Sequence, residues 1–344
     1  MAKREFLQLA HVFDPKKHSV AGWFLSEKLD GLRCFWDGGI TRGKLCSAVP
    51  WANMEKASRL ILPPTSTGLW TRYGHPIMAP GWFIDKLPQN LPLDGELYAG
   101  RGMFQTVVSV TKKLTPNDHE WAAISYKVFD LPPYMEIFKD GKINTTNFKK
   151  EFEGIQKWTN FPEVRRRSFR DTIDYLNVRH PQLVHRQVVL PYSEAEALRV
   201  IDEQLGKVTD GGGEGLMIRH PTAFWEPARS YNMLKVKRLQ DAEAVVLGYT
   251  SGRETNLGSK HLGKVGALVV GYRDKVFELA GLTDEERIFD SPQMEQYAID
   301  HPGERMPPEV VCSKFPRGTM VTFRYRELTN DGIPKEARYW RKHA

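Results

Sequence analysis

Residues 27–33 read EKLDGLR and follow directly on the apolar stretch GWFLS, which is typical of a β-strand. The segment places Lys28 two residues before an Asp-Gly turn and Arg33 two residues after it. A lysine in this position has two interpretations. It is an ordinary charge on a surface hairpin, or it is a nucleophile held at the end of a buried strand, and other parts of the sequence have to distinguish the two.

Size and composition describe an ordinary globular protein with a basic excess. The 344 residues are enough for two domains and a substantial core. The formal net charge is +7, which is compatible with a polyanionic partner but does not require one.

The cysteines and the apolar runs indicate the compartment. Cys34, Cys46 and Cys312 are odd in number and widely spaced, so they form neither a disulfide framework nor a four-cysteine zinc site. The N-terminal residues include no apolar segment long enough for a signal peptide, and no later run is long enough to span a bilayer. We therefore expect a cytoplasmic protein that does not enter a membrane.

The pattern of elements predicts an α+β domain followed by a small all-β domain. Residues 168–179 and 193–208 have apolar residues at helical spacing, as do residues 147–158, and Ser193 is a candidate N-cap. We place the first domain, with antiparallel sheets and flanking helices, at residues 1–239. Residues 240–344, with short strands and one helical piece, fit a five-stranded barrel of the OB type. The strand-like runs of the first domain include WFLSEKL, LRCFWDG, LDGELYAG and ISYKVFDLP.

The segment from about residue 38 to residue 68 resembles an insertion between two strands. It includes WANMEKASRLIL, for which the spacing predicts one or two helical turns, and then the loop PPTSTG. The insertion either adds a contact to a polyanionic partner or forms a surface flap, and we favour the flap.

Four further charged residues stand in positions that suit phosphate chemistry. Glu96 follows a second Asp-Gly pair, and Glu214 follows a run of three glycines and leads into an apolar strand. Lys235 and Lys237 are two apart in a strand-like segment, so their side chains point to the same face. Two cations on one face can hold a phosphate group, or they can simply form a solvated strand surface.

The common nucleotide-binding loops are absent from the sequence. The glycine run 211–213 lacks the Gly-x-x-x-x-Gly-Lys-Ser/Thr pattern, and no Gly-x-Gly-x-x-Gly follows a strand and opens a helix. A nucleotide that binds this chain must therefore bind in another way.

Six short segments, taken in order, resemble a known superfamily. They are EKLDGLR, WTRYGHP, LDGEL, YKVFDL, GEGLMIR and LKVKR. This ordered set is similar to that of the covalent nucleotidyltransferases, which comprise ATP-dependent DNA ligases, RNA ligases and messenger-RNA capping enzymes. The C-terminal part is similar throughout to the OB domain of small ATP-dependent DNA ligases. From about residue 20 to residue 341, the chain thus resembles the compact, two-domain ligases of bacteria and their viruses.

The resemblance implies a set of roles around Lys28. Lys28 would attack ATP and become lysyl-AMP, with Lys235 and Lys237 as catalytic phosphate contacts. Free lysine amines have a pKa of about 10.4 and are protonated, but neighbouring cations and a bound metal favour the neutral, nucleophilic form. Glu96 is the implied ribose-facing acid and Glu214 the metal-facing one, and both are candidate ligands of Mg²⁺ or Mn²⁺. The implied nucleotide contacts are Glu27, Arg33, Arg72, Glu96, Phe129, Glu214, Lys235 and Lys237.

The same resemblance implies a nicked duplex DNA as partner and a monomeric enzyme. Arg33 and Arg72 are candidate DNA contacts, together with three cations of the loop Ser251–Lys264: Arg253, Lys260 and Lys264. The basic run 165–167 is a further candidate. Arg341 is the candidate terminal arginine that orients pyrophosphate, although residues 335–337 depart from the family pattern.

Other functions are open at this stage. An RNA ligase of the same superfamily usually has a different C-terminal domain, and a capping enzyme would use GTP. An NAD-dependent ligase would need a four-cysteine zinc module, which three cysteines cannot supply. From a different class, the chain could be a non-catalytic OB-type nucleic-acid-binding protein, but this function would not need the lysines and glutamates described above.

Overall fold

The structure, a computed structural model, divides the chain into two compact units. It describes residues 7–49, 51–54, 64–133, 167–255, 258–326, 328–329 and 331–342. The first unit comprises Met1–Lys237 and the second Arg238–Ala344. The division falls two residues before the boundary that the sequence predicts.

The first unit alternates short strands with helices. Its strands are β1 (Leu9–Val12), β2 (Phe24–Lys28), β3 (Leu32–Asp37), β4 (Leu69–Thr71), β5 (Pro92–Tyr98), β6 (Ser125–Asp130), β7 (Val188–Val189), β8 (Gly215–Arg219) and β9 (Arg229–Val236). Its helices are α1 (Gly81–Ile84), α2 (Phe104–Thr111), α3 (Asp118–Trp121), α4 (Phe169–Arg179) and α5 (Glu194–Asp210), with a 3₁₀ turn at Cys46–Ala48.

Two sheets make up the first unit. The first sheet has the order β1-β9-β8-β2-β7, and the second has the order β4-β3-β5-β6. All pairings between their strands are antiparallel except the parallel pair β1–β9. Strand β6 shows the underlying alternation, because Tyr126 and Val128 are buried while Lys127 and Phe129 are partly exposed. The predicted mixed fold with antiparallel sheets and flanking helices is confirmed.

Helix α5 packs an apolar stripe against the first sheet. Ala197, Ile201 and Val208 are buried in one cluster with Leu216 and Leu234. Ser193 occupies the N-cap position, as the sequence predicts, but its side chain accepts no hydrogen bond from the helix.

The start of α5 is instead tied to the chain before β2. The carboxylate of Glu194 accepts hydrogen bonds from the backbone N–H groups of Val20 and Ala21, each at 3.1 Å. This contact joins the helix to the segment that leads into the strand of Lys28.

The described part of the insertion is packed into the core, which corrects the expectation of a surface flap. Ile40, Cys46, Val49 and Trp51 are buried against a cluster that includes Trp70. Of the predicted helical segments, residues 55–62 and 147–158 lie outside the described residues.

The second unit is a β-structure with one described helix. Its strands are β10 (Gln240–Ser251), β11 (Val265–Tyr272), β12 (Lys275–Leu279), β13 (Met320–Tyr325) and β14 (Arg338–Lys342), and its helix is α6 (Pro292–Asp300). The five strands form an antiparallel sheet of order β12-β11-β10-β13-β14. The second unit has a hydrophobic core of its own. The predicted small β-domain with a helical piece is therefore present.

The turn between β2 and β3 requires a glycine for lack of space. A Cβ atom on Gly31 would lie 2.2 Å from the carbonyl oxygen of Leu97 and 2.9 Å from Cγ of Glu96. This close approach brings the Lys28 strand against β5.

We expect Gly31→Ala to lower the free energy of unfolding by about 2–3 kcal/mol, because the turn must move away from β5. Gly206→Ala is the matched control, since the space around Gly206 in α5 is open and alanine is the better helix former. It should raise stability by up to about 1 kcal/mol. Urea unfolding of both variants measures the effects, and a Gly31→Ala protein as stable as the unaltered chain would contradict the prediction.

Candidate active site

Lys28 lies at the end of β2 with an acid on the neighbouring strand. It pairs in register with Gly215, the first residue of β8, which directly follows Glu214. The Lys28 ammonium forms an ion pair with one carboxylate oxygen of Glu214. The Lys237 ammonium donates to the other oxygen at 2.6 Å. One carboxylate thus joins two of the lysines that the sequence predicts.

Glu214 is an ionised group in a largely buried position. Only 9% of its side chain is exposed. Burial alone would raise the pKa of Glu214, but the ammonium groups of Lys28 and Lys237 outweigh it and hold that pKa below its usual value. At neutral pH the site therefore has a charged carboxylate, able to accept hydrogen bonds or to bind a cation, beside the candidate nucleophile.

The glycines around Glu214 allow this close arrangement. Gly215 has a φ of +149°, and a Cβ atom there would lie 2.2 Å from the carbonyl oxygen of Val236. A side chain at Gly213 would meet Val208 and the carboxylate of Glu27. The run 211–213 is thus packed against neighbouring groups at two of its three positions, Gly211 and Gly213, and a purely flexible loop does not describe it.

Lys235 is the second-last residue of β9 and stands between two apolar residues of that strand. It lies opposite Met217 of β8, and its carbonyl oxygen accepts a hydrogen bond from the Phe13 N–H at 3.0 Å. Leu234 and Val236 are buried in the core, so the strand packs its apolar residues on one side as the sequence predicts. Lys237 follows directly after the end of β9.

The second sheet contributes a row of charged side chains. Arg33 of β3 lies opposite Glu96 of β5, which lies opposite Lys127 of β6. Residues directly opposite one another share a face of the sheet. Phe129 is two residues beyond Lys127, and the Arg33 guanidinium lies 4.9 Å from the centre of its ring.

Arg33 is held by an acid that the sequence analysis did not single out. Its guanidinium donates to both carboxylate oxygens of Asp94, at 2.6 and 2.5 Å, and to the carbonyl oxygen of Gln8 at 3.1 Å. The Asp94 side chain is fully buried. This bidentate pair fixes the orientation of Arg33, and a role of Arg33 toward ribose or DNA stays a prediction.

Arg72 lies in the tight turn that follows β4. Its guanidinium donates to the hydroxyl of Tyr73 at 2.6 Å. Gly74 has a φ of +78°, and a Cβ there would lie 2.0 Å from the carbonyl oxygen of Trp51. The turn is therefore fixed against the insertion, and a phosphate contact of Arg72 stays a prediction.

Two further residues of the site region were missed by the sequence analysis, and both contact Glu27. Arg101 forms a bidentate ion pair with the Glu27 carboxylate, and His185 lies 2.7 Å from the Glu27 carbonyl oxygen. Arg101 follows LDGELYAG directly, so its closeness to Glu96 in sequence was a usable signal. No such signal exists for His185, which reaches the site through the bridge between Val184 and Val128 of β6.

Two of the three candidate DNA contacts of the second unit, Arg253 and Lys260, are exposed and paired with acids. Arg253 lies 3.3 Å from Glu278, and Lys260 lies 3.0 Å from Asp284. Exposed ion pairs of this kind contribute at most about 1 kcal/mol, so a phosphate can replace the acid. Lys264 closes the base of the loop, because its carbonyl oxygen accepts from the Gly252 N–H at 2.8 Å.

Two candidates remain: Arg341, predicted to orient pyrophosphate, and the basic run 165–167, predicted to contact DNA. Arg341 is an exposed residue of β14 and lies opposite Thr322 of β13. In the basic run 165–167, residues 165 and 166 lie outside the described residues.

The donor set suits a divalent ion that also binds phosphate. Within the described residues, no group of three or more His, Cys, Asp or Glu side chains could hold a metal ion. Mg²⁺ is commonly held by one or two carboxylates together with substrate phosphates. Glu214 and Glu96, whose charges influence each other, supply two such carboxylates.

No helix among the described residues is long and apolar enough to cross a membrane.

Glu96 titrates near neutral pH, which gives a prediction for stability. Burial is the main cause that raises its pKa to about 7, against the lowering effect of Lys28 and Arg33. Between pH 4.5, its ordinary value, and pH 7 the folded protein binds more protons than the unfolded chain. The free energy of unfolding contributed by Glu96 must therefore fall as pH rises through this window, by about 3 kcal/mol in total.

Glu96→Gln should remove this dependence, since the amide does not titrate. Relative to the variant, we expect the unaltered protein to lose stability between pH 4.5 and 7 and to change no further above that range. Urea unfolding at a series of pH values measures the difference, and parallel curves for the two proteins would contradict the prediction.

Comparison with known proteins connects this site to a family. Residues 258–342 match the family model described as "DNA ligase OB-like domain". A DNA ligase of Haemophilus influenzae is 24% identical over 337 residues, which cover 98% of this chain and 91% of the relative. A solved structure from a structure-function study of Lig E DNA ligases is 27% identical, has a TM-score of 0.63 and covers 98% of both chains. These three findings agree with the resemblance to DNA ligases that the sequence indicates.

The structural match extends over both units of this chain. The structure called Pmar-Lig_PreS3 shares the fold, with a TM-score of 0.58 and 17% identity over 98% of this chain and 68% of the other. The predicted OB-like domain is confirmed at the C-terminus of the chain. The predicted resemblance to DNA ligases is confirmed as well, and the protein is an enzyme.

Proposed function

We propose that this protein is a DNA ligase that uses ATP to seal nicks in duplex DNA, with Lys28 as the residue that becomes adenylylated. The observation that carries the assignment is the pair of ammonium groups, Lys28 and Lys237, on the two oxygens of the buried Glu214 carboxylate. It fixes one lysine at a strand end, between two sheets whose charged residues suit a nucleotide.

In the first step the neutral amine of Lys28 attacks the α-phosphorus of ATP. A bond forms between Nζ and phosphorus, the bond from that phosphorus to the bridging oxygen breaks, and pyrophosphate leaves with the electron pair. Lys28 pairs with Glu214 as an ammonium, so it first transfers one proton to that carboxylate and becomes the neutral amine. A second proton leaves the nitrogen for solvent as the bond to phosphorus forms. Lys237 supplies positive charge next to the phosphates as their negative charge develops.

In the second and third steps the AMP group activates the nick. The 5′-phosphate attacks the phosphorus of lysyl-AMP and releases the Lys28 amine, which gives an adenylylated DNA end. The 3′-hydroxyl then attacks the 5′-phosphate, which closes the strand and releases AMP. Lys28 forms a covalent bond only in the first step and loses it in the second.

Mg²⁺ or Mn²⁺ would be held by Glu214 together with Glu96, and when bound it would neutralise phosphate charge and stabilise the leaving pyrophosphate. Glu96, with a pKa of about 7, also suits a contact with ribose hydroxyl groups. The ring of Phe129, which lies 4.9 Å from the Arg33 guanidinium, is the proposed stacking partner of the purine base.

DNA binding is assigned to phosphate contacts without base readout, because an enzyme that seals any nick cannot depend on sequence. Arg253, Lys260 and Lys264 are the proposed contacts in the second unit, and Arg72 is the proposed contact in the first. We expect affinity for nicked DNA to fall steeply with salt, as the release of counterions from phosphates requires.

Nick sealing tests the proposed function. The substrate is a 5′-phosphorylated nick in duplex DNA with Mg²⁺ and either ATP, GTP or NAD, beside an equivalent nick flanked by RNA strands. Sealing of the DNA nick with ATP alone is the expected result. Sealing of the RNA nick alone would make the chain an RNA ligase, and the absence of both sealing and labelled protein would leave a nucleic-acid-binding protein.

A further inference from the structure

Glu27, the residue directly before the candidate nucleophile, is held at both its side chain and its backbone. Its carboxylate accepts two hydrogen bonds from the Arg101 guanidinium, at 2.8 and 2.9 Å. Its carbonyl oxygen lies 2.7 Å from Nε2 of His185. A carbonyl oxygen can only accept, so Nε2 of His185 carries the proton and donates it.

We infer that Arg101 and His185 are positioning residues for Lys28: they fix Glu27 and thereby the adjacent nucleophile during lysyl-AMP formation. The inference rests on the proposed function, because it concerns the rate at which Lys28 reacts with ATP.

Arg101 joins three segments that carry groups of the site. It lies just after β5, the strand of Glu96, and its side chain reaches Glu27 on β2. Its Nη1 also donates to the carbonyl oxygen of Gly211 at 3.2 Å. Gly211 begins the short loop that leads to Glu214, so a single guanidinium connects the strand of the nucleophile, the strand of one acid and the loop of the other.

His185 is the second residue that holds Glu27, and it is itself hydrogen-bonded to β6, the strand of Phe129. Its backbone N–H donates to the carbonyl oxygen of Val128 at 2.7 Å, and the Val128 N–H donates to Leu183 at 2.8 Å. The residue is thus bound to β6 like a short parallel strand. Burial lowers the pKa of the imidazole, so the ring is neutral at physiological pH and donates from a fixed position.

A positioning role of Arg101 predicts a large effect on the reaction rate and a small effect on the free energy of unfolding. The Arg101 and Glu27 side chains are 37% and 24% exposed, and ion pairs with this exposure contribute at most about 1 kcal/mol to folding. A displacement of about 1 Å at a reacting group can cost about 10²-fold in rate. Loss of Arg101 should therefore change the reaction far more than the stability.

The test measures single-turnover formation of lysyl-AMP from ATP and Mg²⁺ with the full chain. We expect Arg101→Ala to reduce the rate constant at saturating ATP by roughly 10- to 100-fold, with a change of less than about threefold in the ATP concentration that gives half the maximal rate. We expect Arg101→Ala combined with Glu27→Gln to be no slower than the slower of the two single variants, because each removes the ion pair between Arg101 and Glu27.

Two further variants serve as rescue and control. His185→Gln retains an N–H donor and should keep more of the rate than His185→Phe, which has none. Arg199→Ala removes an exposed ion pair with Glu203 on α5, away from Glu27, and should react at the unaltered rate.

The outcomes decide between the inference and its alternatives. An Arg101→Ala rate within twofold of the unaltered enzyme, additive losses in the double variant, or a rate loss that follows a matching fall in unfolding free energy would each overturn the inference while the unaltered enzyme still forms lysyl-AMP. An unaltered enzyme that forms no lysyl-AMP would refute the proposed function itself, and the inference with it.

Discussion

Replacement of Lys28 by alanine is expected to abolish labelling of the protein by ATP carrying a labelled α-phosphate. No other nucleophile is needed to explain the proposed first step, so the rate should fall by at least about 10⁴-fold, as for the removal of a covalent nucleophile elsewhere. Glu214 keeps its contact with Lys237 at 2.6 Å in this variant, and the fold should therefore remain. Gel analysis of the labelled protein gives the measurement.

The same variant should still perform the last step of the reaction. If a nick is supplied with its 5′-phosphate already adenylylated, the 3′-hydroxyl reacts without any bond to Lys28. We therefore expect Lys28→Ala to seal this substrate while it fails on an ordinary nick with ATP. Lys113→Ala, which breaks an exposed ion pair with Glu120, is the control and should retain both activities. Persistent label on Lys28→Ala would refute the assignment of the nucleophile.

The sequence predicts the elements of this site better than it predicts their contacts. Strands β2, β5 and β6 could be predicted because short apolar and aromatic runs bounded by Gly, Pro or Asp are a local property of the chain. The candidate residues Lys28, Glu96 and Phe129 could be placed on those strands for the same reason. What the local pattern cannot give is the partner of each group.

The contact between Lys28 and Glu214 spans 186 positions, and that between Arg33 and Asp94 spans 61. Both arise from strand pairing, which aligns β2 with β8 and β3 with β5. The register of these pairs depends on the closing of the whole sheet and not on any short segment. Asp94 illustrates the difficulty, since it stands in LDGEL and was taken as part of an Asp-Gly turn, but lies within β5.

The insertion shows a second limit of sequence patterns. Its position between two strands favours a surface flap, but Cys46, Val49 and Trp51 are buried. These apolar residues have no regular spacing, so neither a helical nor a strand period reveals them. Their burial depends on Trp70 and Phe35, which belong to the second sheet. The core of this region is therefore a property of the tertiary structure.

Glu214→Gln is expected to affect all three steps, in contrast to Lys28→Ala. The amide keeps the size of the side chain but removes the charge that holds Lys28 and Lys237, as well as the anionic ligand proposed for Mg²⁺. We expect each step to slow by about 10²- to 10³-fold, the usual cost of losing one electrostatic contact to a developing charge. The concentration of Mg²⁺ that gives half the maximal rate should rise.

The comparison between the two variants identifies what Glu214 does. Three assays separate the steps: labelling of the protein by ATP, transfer of AMP to the 5′-phosphate, and sealing of an adenylylated nick. A Glu214→Gln protein that loses only the first would show that Glu214 serves to hold the Lys28 amine. A loss in all three would assign it to the phosphate and metal environment that the steps share, because sealing of the adenylylated nick does not use the amine of Lys28.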